Sequence, residues 1–161
     1  MDLQGSHTAS GCRFAIVVSR FNEEITEGLL IGARQALAEA AVPDEDVVIL
    51  RVPGAFDIPV AALRAAKSGR FDAVICIGCL IKGETMHFEY IAGAACHAIA
   101  DAAVQTGVPM TLGVLTALTE EQAQQRAADG PDNKGHEAAR AAVEMATLFR
   151  QFRKGFGDHQ D

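Results

Sequence analysis

Lys82, Gly83, Glu84, Thr85 and His87 fall within six positions at the end of an apolar run, in the stretch GCLIKGETMHFEYI (78–91). A glycine and a hydroxyl residue just before a helix offer free backbone N–H groups and the positive end of the helix dipole, which together hold an anion. An imidazole at the helix start titrates near neutrality and can move protons beside that anion. Glu84 fits such a loop only if it points outward, since a carboxylate in a first helical turn is favourable while the N–H groups face inward. The plain alternative is a turn, a helix cap and a surface histidine.

Three other stretches carry unusual residues. Phe21 and Phe56 each follow an apolar run among polar neighbours, so they read as lids on the core or, taken together, as a platform for a planar ring. Asn22 and Asp57 come directly after them, as helix caps or as contacts to polar substituents. Arg126, in EEQAQQRA, is either a solvated cation or the bidentate countercharge of a bound anion. His7 and His159 lie in expected tails, His97 inside a helix and His136 near a helix start, without comparable neighbours.

These stretches need a frame. Four nearly continuous apolar runs, RFAIVVS (13–19), VVILRV (47–52), AVICIGCL (73–80) and MTLGVLT (110–116), predict strands covered on both faces. Helical spacing links them over 23–40, about 56–67 (Pro59 in the first turn, Gly69 as the stop) and 88–104; a short helix near 119–127 and a long one over 133–152 follow. The order β-α-β-α-β-α-β-α-α predicts an α/β domain with a four-stranded parallel sheet, right-handed crossovers and helices on both faces. Ligands of such sheets bind beyond the carboxyl ends of the strands, and all four stretches above fall there. Residues 1–12 form a polar N-terminal arm, either a disordered tail or a strand that pairs outside this core. Residues 13–154 form one domain, and 155–161 a C-terminal tail.

Composition narrows the partners. In 161 residues, 49% are hydrophobic and the net charge is −7, so no nucleic acid or anionic membrane surface is expected to bind. No apolar run approaches a membrane span and no leader pattern opens the chain, so a cytoplasmic protein is expected. Cys76 and Cys79 form a C-x-x-C inside a strand, where residues three apart point to opposite faces; they can neither chelate one metal nor bridge. They read as buried thiols, and no metal or cofactor is expected.

SRFNEEITEGLLIGA, VPGAFDIP, GCLIKGETMHFEYIA, GVPMTLGVLT, EEQAQQRA and NKGHEAARAAVEMA together resemble the 6,7-dimethyl-8-ribityllumazine synthase family, over residues 13–150 in one order. The resemblance implies a three-layer flavodoxin-like fold and a cofactor-free transferase of riboflavin biosynthesis. It would condense 5-amino-6-(D-ribitylamino)uracil with 3,4-dihydroxy-2-butanone 4-phosphate, releasing phosphate and water. On matching positions it implies Phe21 stacking on the pyrimidine, with Asn22 beside it, and Ala55, Phe56 and Asp57 lining the ribityl and ring pocket. The backbone of Cys79, Leu80 and Ile81 would meet the ring edge, Glu84, Thr85 and Arg126 the phosphate, and His87 would be the proton donor. It implies a homopentamer whose pocket lies between subunits, with Leu112, Arg126 and Lys134 arriving from the adjacent chain. A shell of sixty subunits and riboflavin synthase as a partner belong to the same expectation.

Leu112 stands where many members have phenylalanine, and Asp57 where glutamate is common. AADGPDNKG differs from the glycine-threonine-lysine loop of shell-forming members but has its length, which leans towards a shell. A non-catalytic flavin or lumazine binder with the same assembly is the competing reading. A flavodoxin-like signalling module is disfavoured, because Ser19-Arg20 follows the first run where an acidic pair would hold Mg²⁺.

Overall fold

The computed structural model describes residues 1–157. Its elements run β1 (Phe14–Ser19), α1 (Glu23–Glu39), β2 (Val47–Val52), α2 (Ile58–Lys67), β3 (Ala73–Ile81), α3 (His87–Thr106), β4 (Met110–Ala117), α4 (Glu120–Ala127) and α5 (Lys134–Phe156). All strand pairs are parallel, in the order β2-β1-β3-β4. The fold is α/β in three layers, the flavodoxin-like arrangement. Alternation along the strands splits the core: Phe14, Ile16, Val18, Ile75, Ile77 and Cys79 pack towards α1 and α5, and Ala15, Val17, Val74, Cys76 and Leu80 towards α2 and α3. Cys76 and Cys79 accordingly sit on opposite faces.

The ends of the elements follow local chemistry. Thr119 caps α4 by accepting from Gln122 N at 3.2 Å, and Asn133 caps α5 by accepting from Gly135 N and His136 N at 2.9 and 3.0 Å. Gly107, in the left-handed region (φ 67°), closes α3.

The structure departs from expectation in four places. The second expected helix starts at Ile58 rather than Phe56, because the Asp57 carboxylate turns back to accept from Gly54 N at 3.0 Å and holds 55–57 as a 3₁₀ turn. The last helix runs to Phe156, two residues into the segment expected to be a tail; the rest of that tail, with His159, lies outside the described residues. Strand β2, one of the sheet's two edges, is fully buried at none of its positions.

Within this chain the N-terminal arm is held against the core rather than loose. Ser6 N donates to Thr147 Oγ1 at 2.7 Å, Gln151 Nε2 donates to Gln4 O at 2.9 Å, and Ala9 N donates to Ala40 O at 2.9 Å. With Ala9 and Cys12 fully buried, the arm lies along α5 and the end of α1. Its polar sequence hid this seat because backbone atoms and two small side chains make it.

Candidate active site

A cleft of about 550 Å³ opens at the carboxyl ends of β1, β2 and β3, a size that suits a small organic ligand. Phe21 supplies one wall and Pro53 through Asp57 another. Leu80 and Ile81 form the strand-end side, and Gly83, Thr85, His87, Phe88 and Ile91 close the rim. Phe21 and Phe56 are 66% and 62% exposed, so both aromatic faces are presented rather than buried as core lids. Two exposed rings beside Ala55 and Leu80 offer apolar surface on which a planar heterocycle can stack.

The backbone at the end of β3 is exposed by topology. The β1–β3 ladder stops at Val18–Ile77, while the β3–β4 ladder runs on to Ile81–Ala117. Lys82 N donates to Ala117 O at 2.9 Å, so Leu80 and Lys82 turn their polar groups to β4, and Cys79 and Ile81 turn theirs to the side β1 has left. The Cys79 carbonyl accepts from Asn22 Nδ2 at 3.0 Å. Ile81 keeps an N–H and a C=O without a strand partner, on a residue that lines the cleft.

At the rim, α3 begins at His87, with Met86 as its cap residue and no side chain capping it through Met86. His87 N reaches Thr85 Oγ1 at 3.5 Å, a long contact that leaves the first N–H groups of α3 open to an anion. His87 is exposed and faces the cleft. Asp57 also lines it, with one carboxylate oxygen held by Gly54 N.

The other expected residues are elsewhere. Glu84 is exposed on the 83–87 loop but does not line the cleft. Arg126 is exposed on α4, its Nη1 donating to the carbonyl of Gln122 in its own helix at 3.2 Å. Lys134 Nζ pairs with Glu137 at 2.8 Å. Leu112 is 54% exposed on the edge strand β4. Among the described residues, no lysine or arginine lines the cleft. Phe88 and Ile91, which fall within the helical spacing expected over 88–104, line the cleft; the signal for them was their position in the opening turns of the helix that follows the glycine loop.

Among the described residues, no group of three or more histidine, cysteine, aspartate or glutamate side chains could hold a metal ion. No helix among them is long and apolar enough to cross a membrane. Burial pushes the Cys76 thiol up to about 12 and the Cys79 thiol up to about 11, so both are protonated hydrophobes at neutral pH.

A three-layer α/β protein with an aromatic-walled cleft and an open helix N-terminus at its strand ends is one built to bind a planar, anion-bearing small molecule. A profile of the 6,7-dimethyl-8-ribityllumazine synthase family matches residues 11–150. The chain is 44% identical to a 6,7-dimethyl-8-ribityllumazine synthase of Desulfatibacillum aliphaticivorans, with 94% of this chain and 97% of that one covered. It is 47% identical to enzymes of the same name from Syntrophus aciditrophicus (strain SB), with 92% and 96% covered, and Chlorobium phaeobacteroides, with 93% and 97% covered. The chain belongs to the 6,7-dimethyl-8-ribityllumazine synthase family.

Proposed function

We infer that the chain is a transferase of riboflavin biosynthesis that condenses 5-amino-6-(D-ribitylamino)uracil with 3,4-dihydroxy-2-butanone 4-phosphate to 6,7-dimethyl-8-ribityllumazine. The observation that carries the site assignment is the cleft itself, with two exposed aromatics, an unpaired strand edge and an open helix N-terminus around one space. Phe21 and Phe56 flank the pyrimidine, Ile81 meets its edge, and Asp57 and the 54–57 turn take the ribityl chain. The phosphate sits against the N–H groups after Gly83, with the Thr85 hydroxyl beside it.

The substrate's own amine attacks the ketone, so no enzyme lysine is needed, and one water leaves as the imine forms. Phosphate then departs, the enol tautomerises, and the second nitrogen closes the ring with loss of another water. His87, on the rim between anion and ring, serves these proton transfers, an assistance worth typically about 10²–10⁴-fold. Alignment of two already reactive molecules supplies the larger share, because effective molarities of about 10⁵ M and above are reached in well-oriented systems.

A cleft for a phosphate ester without a lining cation is incomplete in one chain. The reading that completes it places Leu112, Arg126 and Lys134 of an adjacent subunit at its open side, in a ring of five. Helix α3 supports the same arrangement: of its 20 residues only Ala95, Ile99 and Ala102 are buried, while Tyr90 and Val104 are 73% and 85% exposed. Twelve such rings closing into a shell, riboflavin synthase as a companion and a cytoplasmic setting belong to this reading. Glu84 takes no part in phosphate binding through its carboxylate.

Mass photometry on the 17.0 kDa chain, run with an absorbance assay for the lumazine on the same sample, tests it. A pentamer weighs roughly 85 kDa and a sixty-subunit shell about 1 MDa. An active monomer would refute the shared site, and flavin binding without turnover would favour the non-catalytic reading.

A further inference from the structure

Asn22 stands at the cap position of α1, yet its side chain caps nothing. Its backbone does that work, since the Asn22 carbonyl accepts from Ile25 N and Thr26 N, both at 3.0 Å. The residue is held in the left-handed region at φ 58°, ψ 50°, one of two non-glycine residues with positive φ among those described. Asparagine tolerates that conformation better than most side chains, and glycine better still. The turn aims its amide across 57 positions of sequence to the Cys79 carbonyl at 3.0 Å. A carbonyl only accepts, so the amide nitrogen faces it.

That bond joins two parts of the cleft that the sheet does not connect. After Ser19 the chain follows β2, with Arg20 N donating to Val52 O at 2.8 Å and Phe21 N to Pro53 O at 3.0 Å. Strand β3 runs on alone beyond Ile77 on that side. Phe21 therefore rides on the β2 exit and Ile81 on the β3 exit, and the Asn22–Cys79 hydrogen bond ties one exit to the other.

We propose that Asn22 is a positioning residue whose left-handed turn and bond to Cys79 set the spacing between the Phe21 ring and the Leu80–Ile81 strand end, the slot in which the planar pyrimidine lies. The inference rests on the reading of this cleft as the pyrimidine site. The bond also takes one of the two lone pairs of the Cys79 carbonyl, while Ile81 keeps both its N–H and its C=O free of a strand partner on this side. The sequence left Asn22 as a cap or a substrate contact; the structure gives its amide nitrogen a protein partner.

Asn22→Gly keeps the turn and deletes the amide. The KM for the pyrimidine substrate is expected to rise about five- to tenfold, the effect of losing one hydrogen bond, with kcat and the KM for the phosphate substrate within about twofold of wild type. Asn22→Asp keeps shape and acceptor but sets a carboxylate against the Cys79 carbonyl, and should weaken the pyrimidine at least as much. Pyrimidine affinity restored in Asn22→Asp would show that Asn22 contacts substrate through Oδ1 and would overturn the proposal, as would an unchanged KM in Asn22→Gly. Amide hydrogen exchange of peptides covering 20–22 and 78–82 is measured on the same proteins without substrate. Faster exchange in Asn22→Gly supports the tether, and unchanged exchange overturns it. A wild-type protein that makes no lumazine would remove the reading of the cleft, while the exchange experiment would still decide the tether.

Discussion

Gly32 of α1 lies directly under the side-chain amide of Asn133, so close that a Cβ at position 32 would overlap Asn133 Oδ1. Asn133 is 2% exposed, and its Nδ2 donates to the carbonyls of Gly28, Ala127 and Ala128 at 3.0–3.1 Å while Oδ1 caps α5. One amide thus fastens α1, the end of α4 and the start of α5. Asn133→Ala removes a helix cap and leaves buried carbonyls short of a donor, which should cost about 2–4 kcal/mol. Gly32→Ala forces the two helices apart and should cost a similar amount. Urea titration of both variants checks this, and a loss below about 0.5 kcal/mol in each would rule the fastening out. Because Lys134 is the next residue, Asn133→Ala should also impair activity beyond its effect on stability.

At the other end of the sheet the Asp72 carboxylate accepts from Arg13 N at 2.8 Å and from Arg153 Nη2 at 3.2 Å, with Arg150 at 3.6 Å. This binds the entry to β1, the entry to β3 and the last turns of α5. Asp72→Asn keeps the shape but gives up the charge, and is expected to destabilise by about 1–3 kcal/mol, less at high salt. Thermal melts at low and high salt measure it; a loss independent of salt would show that packing rather than charge matters there. Activity per folded molecule should be unchanged, since this cluster is at the far end of the strands from the cleft.

Much of this was legible in the sequence because strands and helices announce themselves through local periodicity. The continuous runs around Ile16, Ile75 and Leu115 and the stop at Gly69 need only neighbouring residues, and the four loops at the strand ends then follow from topology. What the sequence hid was long-range. The seat of the arm depends on Ser6 meeting Thr147, and the tie across the cleft on Asn22 meeting Cys79, pairings with no local signature. Asp57 read as a helix cap or a contact to polar substituents, whereas its carboxylate turns back to Gly54 N. Phe88 falls within the helical spacing over 88–104, and a helix's apolar stripe reads the same whether it meets a sheet or a cleft.

Buried thiols set an alkaline limit. Cys76 and Cys79 ionise in the unfolded chain near their ordinary value but are pushed up to about 12 and about 11 in the fold, because burial disfavours the thiolate. A raised folded value means the stability is complete below the unfolded value and falls as pH climbs past it. Above about pH 9 each thiol should subtract up to ~1.4 kcal/mol per pH unit. Chemical denaturation at rising pH should show this slope, and the double variant Cys76→Ala, Cys79→Ala should flatten it. An equal slope in that variant would assign the loss to other groups.

On the proposed reading, His87 serves proton transfer rather than holding either substrate. His87→Ala should therefore lower kcat by about 10²-fold with little change in either KM, and should keep measurable turnover because alignment of the reactants is intact. Steady-state rates across about pH 6 to 8 read this directly. Wild-type rates throughout would remove His87 from the mechanism.

Arg126 and His87 provide the test of a site shared between chains. Neither Arg126 nor Lys134 lines the cleft of its own chain, while His87 does. If the cation arrives from a neighbour, Arg126→Ala should raise the KM for the phosphate substrate and leave that for the pyrimidine nearly unchanged. Mixing is the sharper experiment: subunits carrying His87→Ala and subunits carrying Arg126→Ala, refolded together in equal amounts, form rings in which about a quarter of the sites pair an intact His87 with an intact Arg126. Those sites should turn over at the wild-type rate, so the mixture should exceed the mean of the two separate variants. If each chain used its own arginine, every site in the mixture would carry one defect and the mixture would only equal that mean.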